Sequence, residues 1–206
     1  IDIAKNNKVD WIILQPLITK KSTNIGCFNF FKKIIPFCDD KLVGIQNAKE
    51  YLGIGLNYNQ IINLYNNFIN FRAIKAESSA ILVSEEIKNY PKDLLVFNGR
   101  GGLEIIENLI AGCSGIVPTP ECSPSLSKIY KYTKDKKYIL AKKEYKKILP
   151  TIVFIMQSID ILTFYGKRIF AMKLGINNVY DRNSSLNYDD FGKKLVKKFA
   201  SQLNII

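Results

Sequence analysis

Short, nearly continuous apolar runs alternate with longer stretches of helical periodicity over the first two thirds of the chain. The runs are Val9 to Pro16, Leu42 to Asn47, Phe71 to Ala76, Leu94 to Phe97 and Ile116-Val117. They do not alternate apolar with polar, which marks strands covered on both faces. Between them the pattern predicts helices over Phe28 to Phe37, Asn57 to Asn67, Ser79 to Asn89, Leu103 to Ala111 and Ser123 to Tyr132. Asn57 is placed to cap the second helix, with Ile61, Ile62, Leu64 and Tyr65 on its apolar side. Pro91 ends the third. Asn98-Gly99-Arg100-Gly101-Gly102 and Gly112-Cys113-Ser114-Gly115 read as turns.

Five strand-then-helix units in succession imply an α/β fold with a parallel sheet and right-handed crossovers, either doubly wound or a (β/α)8 barrel. Repeats of roughly twenty to thirty residues favour the barrel, in which eight units take about 250 residues. Five units cannot close one, so the first three strands are expected to lie outside this sequence, which opens within a helix at Asp2 to Asn6. Residues 1–135 are therefore read as a partial barrel and residues 136–206 as a C-terminal helical region. The helices expected there cover Tyr138 to Leu149, Thr151 to Phe164, Lys167 to Leu174 and Asp189 to Leu203. In the first, Ala141, Tyr145, Ile148 and Leu149 share a face opposite Lys142, Lys143, Lys146 and Lys147.

Composition narrows the function classes. The chain of 206 residues, 47% apolar, can bury a sizeable core. Cys27, Cys38, Cys113 and Cys122 show no metal-binding spacing and there is no His, which disfavours zinc and removes the commonest general base. Scattered apolar cysteines fit reduced thiols and a cytoplasmic setting. No cofactor is implied. Net charge is +12, but 26 of the 30 basic residues are Lys and only 4 are Arg, the residue that phosphate and base recognition favours. The charge is read as a solvated surface, the Lys128 to Lys147 stretch included, and no nucleic-acid partner is expected. The run from Thr151 to Phe164, interrupted by Gln157, Ser158 and Asp160, is too short for a membrane span, and no membrane partner is expected.

Candidate chemistry gathers at the C-terminal ends of the strands, where a barrel places it: Gln15, Gln46-Asn47, Lys75 and Asn98. Lys75 ends an apolar run just before a polar turn. Desolvation at a strand mouth disfavours an ammonium ion and turns an amine into a nucleophile. Such an amine attacks a ketone to give an iminium, an electron sink for breaking neighbouring bonds.

The ordered set Ile74-Lys75-Ala76-Glu77, Asn98-Gly99-Arg100-Gly101-Gly102, Ala111 to Pro118 and Phe170-Ala171-Met172-Lys173-Leu174-Gly175 resembles the dihydrodipicolinate synthase / N-acetylneuraminate lyase family of Schiff-base aldolases and dehydratases. The resemblance covers nearly the whole chain. It implies a (β/α)8 TIM barrel, here strands 4 to 8, with a C-terminal helical extension, and commonly a homotetramer. It implies that Lys75 forms an imine with a 2-oxo acid, pyruvate or a 2-keto-3-deoxy sugar acid. The iminium acidifies C3, so a C–C bond is made or broken or a hydroxyl is lost as water. Glu77 is expected either as the acid/base or as a solvated turn carboxylate. Gln46, Asn47, Gly99, Arg100 and Val117 are the expected substrate-binding positions, Arg100 through a carboxylate or hydroxyls.

The departures bear on substrate. Gln46-Asn47-Ala48-Lys49 stands where the synthase and neuraminate-lyase pattern has Tyr-Asn-x-Pro, and an amide cannot relay protons as a phenol does. The synthase arginine falls at Tyr51, read as a core or interface residue, and its tyrosine pair near Leu17 and Ile18. These losses favour the dehydratase branch over 4-hydroxy-tetrahydrodipicolinate synthase itself. A barrel kept as a non-catalytic scaffold is the reading from another class. The threonines that hold the pyruvate carboxylate are expected outside this sequence. The chain alone is therefore expected to be inactive, with a strand edge that promotes aggregation.

Overall fold

In the computed structural model, which describes residues 1–17, 19, 21–182 and 186–203, the apolar runs form a five-stranded sheet. After α1 (Asp2–Asn6) come β1 (Trp11–Leu14), α2 (Asn24–Ile34), β2 (Leu42–Asn47), α3 (Lys49–Leu52), α4 (Tyr58–Asn67), β3 (Phe71–Ala76), α5 (Ala80–Ile87), β4 (Leu95–Gly101), α6 (Ile105–Ile110) and β5 (Gly115–Pro118). The strands lie side by side in chain order, and β1–β2, β2–β3 and β3–β4 pair in parallel. The chain divides into two compact units: Ile1–Gly99 with Ile110–Val117, and Arg100–Leu109 with Pro118–Ile206.

In the first unit, side-chain alternation sorts the strands into two faces. Val43 and Ile45 of β2 and Ile74 of β3 pack with Phe31, Ile35, Ile61 and Leu64 from the helical side, all essentially fully buried. The alternate positions, Gly44 and Gln46 on β2 and Ala73 and Lys75 on β3, take the opposite face, in register. The strands approach closely there: a Cβ on Gly44 would lie 3.0 Å from that of Ala73. The rings of Trp11 on β1 and Phe97 on β4 meet at 5.3 Å, although two strands separate them. The sheet therefore curls toward the face that carries Lys75.

Helix starts follow capping chemistry. α4 is closed by a capping box in which Asn57 and Gln60 bond each other's backbone N–H at 3.0 Å. α2 begins at Asn24, before the expected Phe28, because the Thr23 side chain accepts from the Gly26 N–H. It ends in a 3-10 turn over Ile35–Cys38 that contains Pro36. Asn98 to Gly101, expected as a turn, instead prolongs β4, and α6 starts only at Ile105. The bend falls at Gly101 and Gly102, with φ of +65° and +112°, values that favour glycine.

The second unit is helical: α7 (Ser123–Lys134), α8 (Tyr138–Ile155), α9 (Ile159–Ile161), a π-helical turn over Leu162–Gly166, α10 (Lys167–Lys173) and α11 (Asp190–Leu203). The expected break at Pro150 and the separate helix over Thr151 to Phe164 are not found, since α8 runs through Pro150. An interior proline costs about 3 kcal/mol. Burial of Ile148, Ile152 and Ile155 along one face, each worth about 1.5–3 kcal/mol, outweighs it. Ala141 is buried on that face while Lys142, Lys143, Lys146 and Lys147 are exposed. Among the described residues no single helix is long and apolar enough to cross a membrane.

All four cysteines are unbridged and buried. Burial raises the thiols of Cys27 and Cys38 and pushes that of Cys122 up to about 12, so thiolate is scarce. Iodoacetamide at pH 8 is expected to modify the native protein slowly at these positions and all of them rapidly in guanidinium. Fast native labelling, read by intact mass, would contradict this packing.

Candidate active site

Gln46 and Lys75 are register partners on β2 and β3, and Glu77 follows at the first turn beyond β3. Three side chains from two points of the chain meet here. Lys75 Nζ lies 2.5 Å from Glu77 Oε1, and Gln46 Nε2 donates to the same oxygen at 2.9 Å. The side chains of Lys75 and Glu77 are only 19% and 10% exposed. A carboxylate so enclosed stays favourable only while its charge is paired and bonded, and here both an ammonium and an amide N–H serve it. The Glu77 backbone N–H is anchored by the Asn47 carbonyl at 3.2 Å.

Gly99 on β4 completes the enclosure. A Cβ there would stand 2.7 Å from Lys75 Cε and Glu77 Cγ and 2.8 Å from Glu77 Oε1. Glycine is thus required by close approach of β4 to the ion pair. Gly99→Ala is expected to separate Lys75 from Glu77 and to destabilise the fold by about 1–3 kcal/mol, measured by urea denaturation. An unchanged midpoint would show that this approach is looser than described.

The other expected positions are placed as follows. Asn47 is buried with its amide spent on Leu56, donating to the carbonyl at 3.1 Å and accepting from the N–H at 2.9 Å. Asn98 is fully buried and donates to the Ser78 carbonyl at 3.0 Å, tying β4 to the turn that carries Glu77. Val117 is half-buried in β5. Arg100 belongs to the second unit, where Nη1 meets Glu104 Oε2 at 2.6 Å, and the Glu104 N–H donates to the Tyr145 hydroxyl. The guanidinium, expected on a substrate, has a carboxylate of its own chain. Tyr51 is not in the core but 41% exposed, and Leu17 and Gln15 are exposed too. Ile18 lies outside the described residues. Among the described residues no three His, Cys, Asp or Glu side chains converge to hold a metal ion.

No protein-family model matches the chain and no curated protein matches its sequence. Solved structures do match. The 4-hydroxy-tetrahydrodipicolinate synthase of the methanotroph Methylacidiphilum fumariolicum SolV aligns with a TM-score of 0.84 at 16% identity, over 99% of this chain and 67% of that one. The fold is that of the dihydrodipicolinate synthases and sialic acid aldolases. The sialic acid aldolase of Ruminococcus gnavus aligns with a TM-score of 0.83 at 17% identity, over 98% of this chain and 67% of its own. The dihydrodipicolinate synthase of Aquifex aeolicus gives 0.81 at 15%, over 98% and 68%. The chain thus spans about two thirds of these enzymes' length, and it supplies five parallel strands of the TIM barrel together with the helices that follow. The architecture expected from the resemblance is therefore the one found. Within that fold Lys75, Glu77, Gln46 and Gly99 cluster at the C-terminal ends of adjacent strands, the end where TIM barrels carry their chemistry.

Proposed function

We propose that this chain carries the reactive lysine of a lyase that forms a Schiff base with a 2-oxo acid, either pyruvate or a 2-keto-3-deoxy sugar acid. The observation that carries the reading is the contact of Lys75 with Glu77 at the strand ends, 2.5 Å apart and enclosed on one side by Gly99. The fold, shared with lyases that the chain resembles, supports it.

Glu77 Oε1 is positioned to take a proton from the Lys75 ammonium. The amine then adds to C2 of the 2-oxo acid, and the resulting carbinolamine loses its hydroxyl as water, with the proton returned from Glu77. The iminium so formed acidifies C3. Removal of a C3 proton gives an enamine, from which a C4 hydroxyl leaves as water. Alternatively, loss of the C4 hydroxyl proton breaks the C3–C4 bond, releasing the C4 fragment as an aldehyde and leaving the enamine of pyruvate, which takes up a proton at C3 to return to the iminium. Hydrolysis of the iminium releases product and restores the amine. Gln46 holds Glu77 Oε1 toward Lys75 by its N–H, a positioning role that an amide can fill without moving protons.

Borohydride reduction of the full-length protein with pyruvate or with a 2-keto-3-deoxypentonate tests this. The expected result is a reduced adduct located at Lys75 by peptide mass, with the faster-trapped acid marking the substrate branch. Failure of every 2-oxo acid to give an adduct would favour a barrel retained as a scaffold.

A further inference from the structure

A second concavity lies within the first unit, behind the strand ends that carry Gln46 and Glu77. It has a volume of about 580 Å³ and is bounded by α3, the start of α4, and α5 with the residues that follow it. That is within the size range of small-molecule sites. Its charge runs against the rest of the chain. The protein carries a net +12, yet the walls present Glu50, Glu85 and Glu86 against the single ammonium of Lys49. Lysine-rich drift cannot produce that sign.

The remaining lining points the same way. The Tyr58 ring, 47% exposed, lies nearly parallel to the Tyr90 ring, with an interplanar angle of 12° and centroids 6.1 Å apart. Tyr90 is buried and its phenol is hydrogen-bonded to the Glu86 carboxylate. The backbone N–H groups of Asn57 and Gln60 are tied up in the capping box, and Asn89 Nδ2 bonds the Glu85 carbonyl at 3.0 Å. Beside the three carboxylates and Lys49, the lining includes the half-exposed Tyr58 ring and Leu82, which is 44% exposed. Burial and the nearby Glu50 charge raise the Glu86 carboxyl above its ordinary range, against the opposing pull of Tyr90 and Lys49.

We propose that this cavity binds a small organic cation, a primary ammonium or guanidinium attached to a flat apolar group. The cation sits among Glu50, Glu85 and Glu86, and the flat group lies against Tyr58, where cation–π attraction adds to the carboxylates. Asn47 and Ser78 also line the cavity, each one residue along from Gln46 and Glu77, so the ligand lies next to the lysine site and shares with its expected residues only Asn47, whose amide is spent on Leu56. The assignment does not depend on the Schiff-base reading.

Benzylammonium chloride, titrated into the protein by calorimetry, is the probe, with benzyl alcohol and sodium benzoate as neutral and anionic counterparts. Saturable binding of benzylammonium is expected, with both counterparts weaker by about tenfold or more. Glu86→Gln is expected to weaken it by about tenfold. Glu85→Gln, at an exposed position, provides the same comparison should the first variant fail to fold. Tyr58→Leu is expected to narrow the gap between benzylammonium and benzyl alcohol, and Lys75→Met to bind benzylammonium as the unaltered protein does. Equal binding of benzyl alcohol, preference for benzoate, no saturable binding, or loss of binding in Lys75→Met would each overturn the assignment.

Discussion

Glu77→Gln is expected to lower turnover of the 2-oxo acid by about 10²- to 10⁴-fold, the range for loss of a positioned proton acceptor. Gln keeps the length of the side chain and can still accept from Gln46 Nε2, so packing changes little. It cannot take a proton from Lys75, which in the native site has Glu77 Oε1 at 2.5 Å. Capture of the 2-oxo acid under borohydride should therefore slow but still end in a Lys75 adduct. Lys75→Met should give no adduct at all. A Glu77→Gln variant within threefold of the native rate would assign the carboxylate a structural role and send the search for the base elsewhere.

How much of this was legible in the sequence depends on how local the cause is. β2 and β3 fall where the apolar runs place them, because strands buried on the helix side need Val43, Ile45 and Ile74 in succession with small residues between. The Asn57 cap was legible for the same reason, since its partner Gln60 lies three residues on. Lys75 and Gln46 could be singled out as polar residues at apolar strand ends. Their meeting on Glu77 could not, because it depends on the register that pairs Gln46 with Lys75 across the 28 residues between them. The length of β4 was misread because Gly99 and Gly101 signal a turn locally, whereas here one glycine answers the close approach of Lys75 and the other a positive φ. Pro150 misled for the opposite reason, since a local helix breaker is overridden by burial that only the tertiary structure reveals. The Arg100–Glu104 contact, between residues four apart, is local yet went unread, because the glycine-rich run pointed to a turn and not to an ion pair.

The largest pH effect on stability is expected from Glu121, in the short 3-10 turn over Pro120–Cys122. Its side chain is buried, with the residue 1% exposed, and Oε1 has no hydrogen-bond partner among the described residues. That oxygen lies against Gly166 at the end of the π-helical turn. The one ammonium in range, Lys173, donates to the Glu121 backbone carbonyl at 3.1 Å and only partly offsets the desolvation. Burial pushes the carboxyl up from 4.5 to about 7. Below pH 4.5 the group is neutral in both the folded and the unfolded chain, and its contribution to stability is complete. Between pH 4.5 and 7 the unfolded chain releases the proton that the folded chain keeps, so stability falls as pH rises, by about 3 kcal/mol in all. Above pH 7 both states are ionised and the loss levels off. Urea denaturation of the native protein and of Glu121→Gln at pH 5, 6, 7 and 8 isolates this group, since every other titration cancels in the difference. The variant should gain on the native protein by about 3 kcal/mol between pH 5 and 8, approaching or passing it at the alkaline end. Two stability curves that stay parallel across that range would mean that water or a cation reaches Glu121 and that its burial is not a dry one.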